Sequence, residues 1–133
     1  MKKILLGLAA LTLAASAQFT TIDNDTLLKM QSQGVLVIDI RTPGEWKTTG
    51  IIKGAHKMMF FDEKGRPDMA NWFFELGHLL KDKEQPFILY CAHANRSKTL
   101  GKFLDQELHF SKVYELKDGI ENGWLKAGKP VEK

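Results

Sequence analysis

With 133 residues and a formal net charge of only +3, the chain is long enough for one domain with a hydrophobic core. It carries no basic run that would track a phosphate backbone, so no nucleic-acid partner is expected. Its single cysteine excludes an internal disulfide and a thiolate zinc site, and His56, His78, His93 and His109 do not fall at metal-ligand spacing.

In chain order, Met1-Lys2-Lys3 is a short basic opening, Ile4 to Ala14 an apolar run, and Ala15-Ser16-Ala17 a small-residue A-x-A site. This pattern predicts a cleaved signal peptide over 1–17 and a mature domain over 18–133. The apolar run is short for a transmembrane span, so no membrane association is expected after cleavage. No cysteine follows the cleavage site and no twin arginine precedes it, so a general secretory route to the periplasm is expected. Residues 18–133 carry 17 basic and 16 acidic side chains, so the high pI of the whole chain belongs partly to the leader.

Phe19 to Ile22 reads as a short edge strand. Thr21 or Asp23 is placed to cap a helix from Asn24 to Gln33, which Gly34 ends. Val35 to Asp39 is apolar and fits a buried strand; Pro43 to Thr48 is a turn or short helix; His56 to Phe60 fits a third strand. Asp68 to Lys81 reads as a helix carrying Trp72, Phe73, Leu76, Leu79 and Leu80. Trp72-Phe73-Phe74 cannot all face one side of that helix, so one ring is left for a surface. Phe87 to Tyr90 is a buried strand, Arg96 to Leu108 a helix with Leu100, Phe103, Leu104 and Leu108 on one face, Lys112 to Leu116 a strand, and Ile120 to Lys126 a short helix in which Trp124 anchors the core. Strands alternating with helices predict an α/β fold: a single domain with a mostly parallel sheet of about five strands and helices on both faces. Ligands in such sheets bind beyond the carboxyl ends of strands, where Asp39 and Cys91 both lie.

The chemistry converges on Cys91-Ala92-His93-Ala94-Asn95-Arg96-Ser97. A tight strand-to-helix loop turns successive backbone N–H groups inward, and the helix N-terminus adds partial positive charge. A cysteine sulfur at the centre of such a cradle is expected to ionise readily, and the thiolate is the nucleophilic form. Arg96 supplies a permanent charge and a two-pronged fork for an oxyanion. His93 either donates to substrate or points outward. Asp39 and Arg41 either brace the loop or form a structural ion pair, with Glu45 as a further partner, that fixes the following turn; the second reading is favoured, because Asp39 beside a thiolate opposes its ionisation.

The segment from Cys91 to Ser97, a cysteine and an arginine separated by four residues and followed by serine, resembles the active-site loop of the rhodanese family of sulfurtransferases. Val37-Ile38-Asp39-Ile40-Arg41-Thr42-Pro43-Gly44-Glu45-Trp46, running on to Gly50-Ile51-Ile52-Lys53-Gly54-Ala55, resembles that family's N-terminal signature, and the stretch from Asp118-Gly119 through Trp124 to Val131 its C-terminal one. The resemblance implies a single rhodanese-like domain in which Cys91 is the catalytic nucleophile and Ala92, His93, Ala94, Asn95, Arg96 and Ser97 bind substrate. It implies transfer of sulfane sulfur, through a Cys91 persulfide, from a donor such as thiosulfate or polysulfide to cyanide or a thiol. No metal or organic cofactor is called for; the expected partners are small sulfur-containing anions and a thiol protein acting as acceptor or reductant. Ala94 departs from the family pattern, where glycine is frequent, and either accepts a strained backbone or marks a different loop. The loop also lacks additional Lys or Arg, which suits the thiosulfate dianion less well. Two other readings stand beside this one. A periplasmic persulfide carrier or partner-binding module has the same residues. Phosphatase or arsenate-reductase chemistry uses a similar loop, but with five residues between cysteine and arginine in place of four.

Overall fold

The computed structural model describes residues 18–133; the leader expected over 1–17 lies outside the described residues. Five strands, β1 (Gln18–Ile22), β2 (Leu36–Asp39), β3 (His56–Lys57), β4 (Phe87–Tyr90) and β5 (Lys112–Leu116), form one sheet in the order β1-β5-β4-β2-β3. Every pairing is parallel. The helices are α1 (Asn24–Ser32), α2 (Pro43–Thr49), α3 (Met69–Leu79) and α4 (Asn95–Gln106), with a π-helical segment at Ile120–Leu125.

Strand alternation explains the two cores. Ile38, Phe87, Leu89 and Val113 face one side, where α3 and α4 bring Trp72, Leu76, Leu100 and Leu104. Val37, Ile88, Tyr90 and Leu116 face the other, covered by Leu27 of α1 and by Ile120 and Trp124. All four residues of β4 are buried, as a central parallel strand requires. Each large apolar side chain so buried stabilises the fold by about 1.5–3 kcal/mol. Trp124 anchors its core and donates Nε1–H to the Pro130 carbonyl at 2.9 Å; Trp72 does the same to Met58. Of the three consecutive rings in α3, Trp72 is buried and Phe74 exposed.

Several boundaries differ from expectation, each for a local reason. The helix expected over Asn24–Gln33 ends at Ser32 and is capped by Asp23, whose carboxylate accepts the Thr26 N–H. The strand expected over His56–Phe60 is regular only at His56–Lys57. Beyond it, Met58 and Phe60 still donate to Asp39 and Ile40, but β2 has already turned, with Asp39 Oδ1 accepting the Arg41 N–H. The third helix stops at Leu79, because Leu80 is extended and Lys81 N–H donates to the Gln85 side chain. The helix expected over Arg96–Leu108 begins at Asn95 and ends at Gln106, with the chain reversing through His109 at φ +61°. The last helix is π-helical: the Ile120 and Glu121 N–H groups go to the carbonyls of Cys91 and Ala92.

Candidate active site

The loop from Cys91 to Ala94 leaves the end of β4 and enters α4 through a left-handed residue. Ala94 has φ +72° and ψ −1°, a conformation that costs an L-residue with a Cβ roughly 1–2 kcal/mol. Alanine therefore accepts the backbone that glycine would take freely. Beneath the loop lies the Asp118-Gly119 turn. A Cβ on Gly119 would stand 2.3 Å from the Ala92 carbonyl oxygen, so only glycine fits there. Ile120 and Glu121 then clamp the loop through N–H bonds of 2.9 and 3.0 Å to the Cys91 and Ala92 carbonyls.

With its carbonyls tied down, the loop keeps its amides free. Among the described residues, no oxygen accepts from the N–H groups of Ala92, His93, Ala94, Asn95 or Arg96. The Ser97 N–H donates to Cys91 Sγ at 3.3 Å. Cys91 itself is only 1% exposed, at the floor of the loop. This is an anion cradle built from backbone N–H groups and the start of a twelve-residue helix.

Arg96 is not held out toward solvent. Its Nη1 and Nη2 donate to Glu45 Oε1 and Oε2 at 2.8 and 2.7 Å, a two-pronged pair. Glu45 also completes the α2 capping box: Thr42 N–H donates to Oε1 at 3.1 Å, and the Glu45 N–H returns to Thr42 Oγ1. The Arg96 hydrogen bonds, against the opposing effect of burial, hold the Glu45 carboxyl at about 2, and Glu45 raises Arg96 in turn. Both residues border an open cleft of about 630 Å³, with Phe61, Asp62, Glu63 and Asn95 among its walls.

Asp39 and Arg41 form a fully buried pair. Arg41 Nε donates to Oδ1 at 3.0 Å and Nη2 to Oδ2 at 2.8 Å. The remaining donors reach Thr49 Oγ1 and the Gly50 carbonyl, both at 2.8 Å, so the pair ties the end of β2 to the far end of α2. Burial lowers the Arg41 pKa, but the hydrogen bonds and charge of Asp39 outweigh it and the net shift is upward. Glu45, expected as a further partner of this pair, is engaged by Arg96 instead. The pair meets the strand that leads into the loop: the Arg41 guanidinium lies 5.9 Å from the centre of the Tyr90 ring, and between the two paired residues Ile40 N–H donates to Tyr90 O at 3.1 Å, one residue before Cys91. Tyr90 takes the Ile52 N–H on its hydroxyl at 2.9 Å, and burial pushes its pKa up. His93 points outward, half-exposed, with Nε2 3.5 Å from Glu121 Oε1.

Sequence reading missed Glu115. It is wholly buried on β5, where it accepts from Ser97 Oγ at 2.8 Å and Thr21 Oγ1 at 2.7 Å, and pairs with Lys98. An acid inside the apolar run Val113-Tyr114-Glu115-Leu116 is the signal that marks it. Among the described residues, no three His, Cys, Asp or Glu side chains gather as a metal site would require.

The sequence model of the rhodanese-like domain matches residues 23–127. The chain is 37% identical over 51 residues to thiosulfate sulfurtransferase GlpE of Actinobacillus pleuropneumoniae; the match covers 38% of this chain and 45% of that protein, so the chain spans less than half the length of this curated relative. Among solved structures, the polysulfide-sulfur transferase homodimer of Wolinella succinogenes superposes with a TM-score of 0.62 at 24% identity, over 97% of this chain and 89% of that one. A Mycobacterium tuberculosis protein gives 0.68 at 20% identity, over 86% and 97%. A Rhodopseudomonas palustris protein of unknown function, described as a possible tyrosine phosphatase, gives 0.60 at 24%, over 86% and 85%. Identities this low speak for the shared fold alone.

Proposed function

The chain belongs to the rhodanese-like domain family, and from that premise we propose that it is a sulfurtransferase with Cys91 as its nucleophile. The Cys91 thiolate attacks the terminal sulfane sulfur of a donor. The donor's S–S bond breaks, its electron pair leaves with the remaining anion, and Cys91 becomes a persulfide. Cyanide or a thiolate then takes the outer sulfur and returns the electron pair to Sγ. The observation that carries this reading is the set of unpartnered N–H groups from Ala92 to Arg96 around a sulfur already touched by the Ser97 N–H. Those donors suit an anionic persulfide and need no cofactor.

The donor best matched to the site is polysulfide. Glu45 occupies the Arg96 fork, and Asp62 and Glu63 line the same cleft, so a compact dianion such as thiosulfate meets little net positive charge. The near-complete burial of Cys91 favours a slender, linear donor. Four residues between Cys91 and Arg96 weigh against a tetrahedral phosphate. The test is thiocyanate formation from cyanide with each donor, beside an aryl phosphate. Faster transfer from polysulfide than from thiosulfate, with negligible phosphate release, is expected. Phosphate turnover at a rate comparable to sulfur transfer contradicts the reading. Export through residues 1–17 is part of the same proposal; the test is recovery from the periplasm of a protein whose first residue is Gln18.

A further inference from the structure

The Ser97 hydroxyl has one proton and two oxygens that compete for it, Glu115 Oε1 at 2.8 Å and the Ala94 carbonyl at 3.3 Å, while Cys91 Sγ lies 3.5 Å away on the donor side. Glu115 is both the nearest and the charged acceptor. It is fixed on β5 by Thr21 Oγ1 at 2.7 Å and by Lys98, so it cannot turn away. A hydrogen bond to an ionised acceptor is about twice as strong as a neutral one. With its proton committed to Glu115, the Ser97 oxygen presents only lone pairs to Cys91, and the sulfur lies within reach as the donor.

We propose that Glu115 is a positioning residue that makes the Ser97 hydroxyl an acceptor of the Cys91 S–H, so that this hydroxyl favours the protonated thiol and not the thiolate. The backbone N–H of Ser97, at 3.3 Å, works in the opposite direction and favours the anion. The resting sulfur is thereby held between two opposed hydrogen bonds on one residue. A consequence is a reactive cysteine that is guarded from oxidation, since the thiolate is the species that oxidants attack. The inference concerns the nucleophile of the sulfurtransferase reading, but its geometry does not depend on what the nucleophile attacks.

The other charged groups around the sulfur form pairs that the test leaves unchanged. These are Arg96 of α4 with Glu45 of α2, the Asp39–Arg41 pair at the end of β2, and His93 with Glu121 beside the C-terminal turn. The test is a pH titration of Cys91 followed by NMR in protein isotope-labelled at cysteine. The chain has a single cysteine, so one signal reports it. In Ser97→Ala the S–H loses its acceptor, and the midpoint falls by about half a pH unit. In Glu115→Leu, which keeps the volume and offers no acceptor, the buried charge is gone, Lys98 is left unpaired and the hydroxyl is released to the sulfur, and the midpoint falls by about one unit. Adding Ser97→Ala to that variant then raises the midpoint, a reversal of sign that a merely structural role for Glu115 does not produce. A midpoint that rises or stays in place in Ser97→Ala alone overturns the proposal. That single variant decides the matter even if Glu115→Leu does not fold. The readout uses no sulfur donor, so failure here and failure to transfer sulfur are separate results.

Discussion

Ala94 holds a left-handed backbone that its Cβ opposes, because the chain must turn there from the Cys91 loop into α4. Replacing it with glycine removes the steric cost and adds back some chain entropy in the unfolded state. Ala94→Gly is expected to stabilise the fold by about 0.5–1 kcal/mol, read by denaturant unfolding. Glu45 gives a pH-dependent counterpart. Its carboxyl falls from the ordinary 4.5 to about 2, chiefly through the Arg96 hydrogen bonds. A group whose folded pKa is depressed contributes stability that is present above its unfolded value and lost as the pH falls through the folded one. Glu45→Gln is therefore expected to cost about 1–2 kcal/mol at neutral pH, allowing for solvent screening of this half-buried pair. The difference from the native protein closes between about pH 4.5 and about pH 2, which acid titration of the unfolding free energy measures. A gap that persists below that window contradicts the assignment of Glu45 as ionised partner of Arg96.

At the scale of elements, the site is a strand end, a helix start and a clamping turn. The first two were legible: the apolar run Phe87–Tyr90, the lone cysteine and the arginine five positions on stand together in the sequence. The clamp was not legible as such. That the Ile120 and Glu121 N–H groups, just after the Asp118-Gly119 turn, meet the Cys91 and Ala92 carbonyls follows only from β5 lying beside β4. The same holds for Glu45 with Arg96, 51 residues apart, and for Glu115 with Ser97. Such pairs depend on sheet order, which local periodicity does not encode. Gly119→Ala tests the clamp: the added Cβ meets backbone, at φ +72°, and neither side yields without moving the loop. A loss of about 2–4 kcal/mol in unfolding free energy is expected, from strain and overpacking together. A neutral outcome would show that the turn does not hold the loop.

Across the whole molecule, the parallel five-stranded sheet and the two apolar layers follow from sequence pattern, since β4 is apolar throughout, β2 is apolar up to Asp39, and α1, α3 and α4 each supply an apolar face. Element ends were less legible, because they are set by side-chain bonds such as Asp39 to Arg41 N–H and Gln85 to Lys81 N–H. The resulting architecture brings the carboxyl ends of β2, β4 and β5 to one edge. There it places a sulfur, a row of free amides, a neutralised arginine and a buried acid within a few residues of one another. On the proposed function, this edge carries sulfur on Cys91. Intact mass of the protein before and after polysulfide, and again after cyanide, tests it most directly. The predicted result is a gain of about 32 Da, one sulfur atom, that maps to Cys91, disappears with cyanide and is absent in Cys91→Ser. No gain on a reduced, accessible Cys91 with either polysulfide or thiosulfate, or an equal gain in Cys91→Ser, contradicts it.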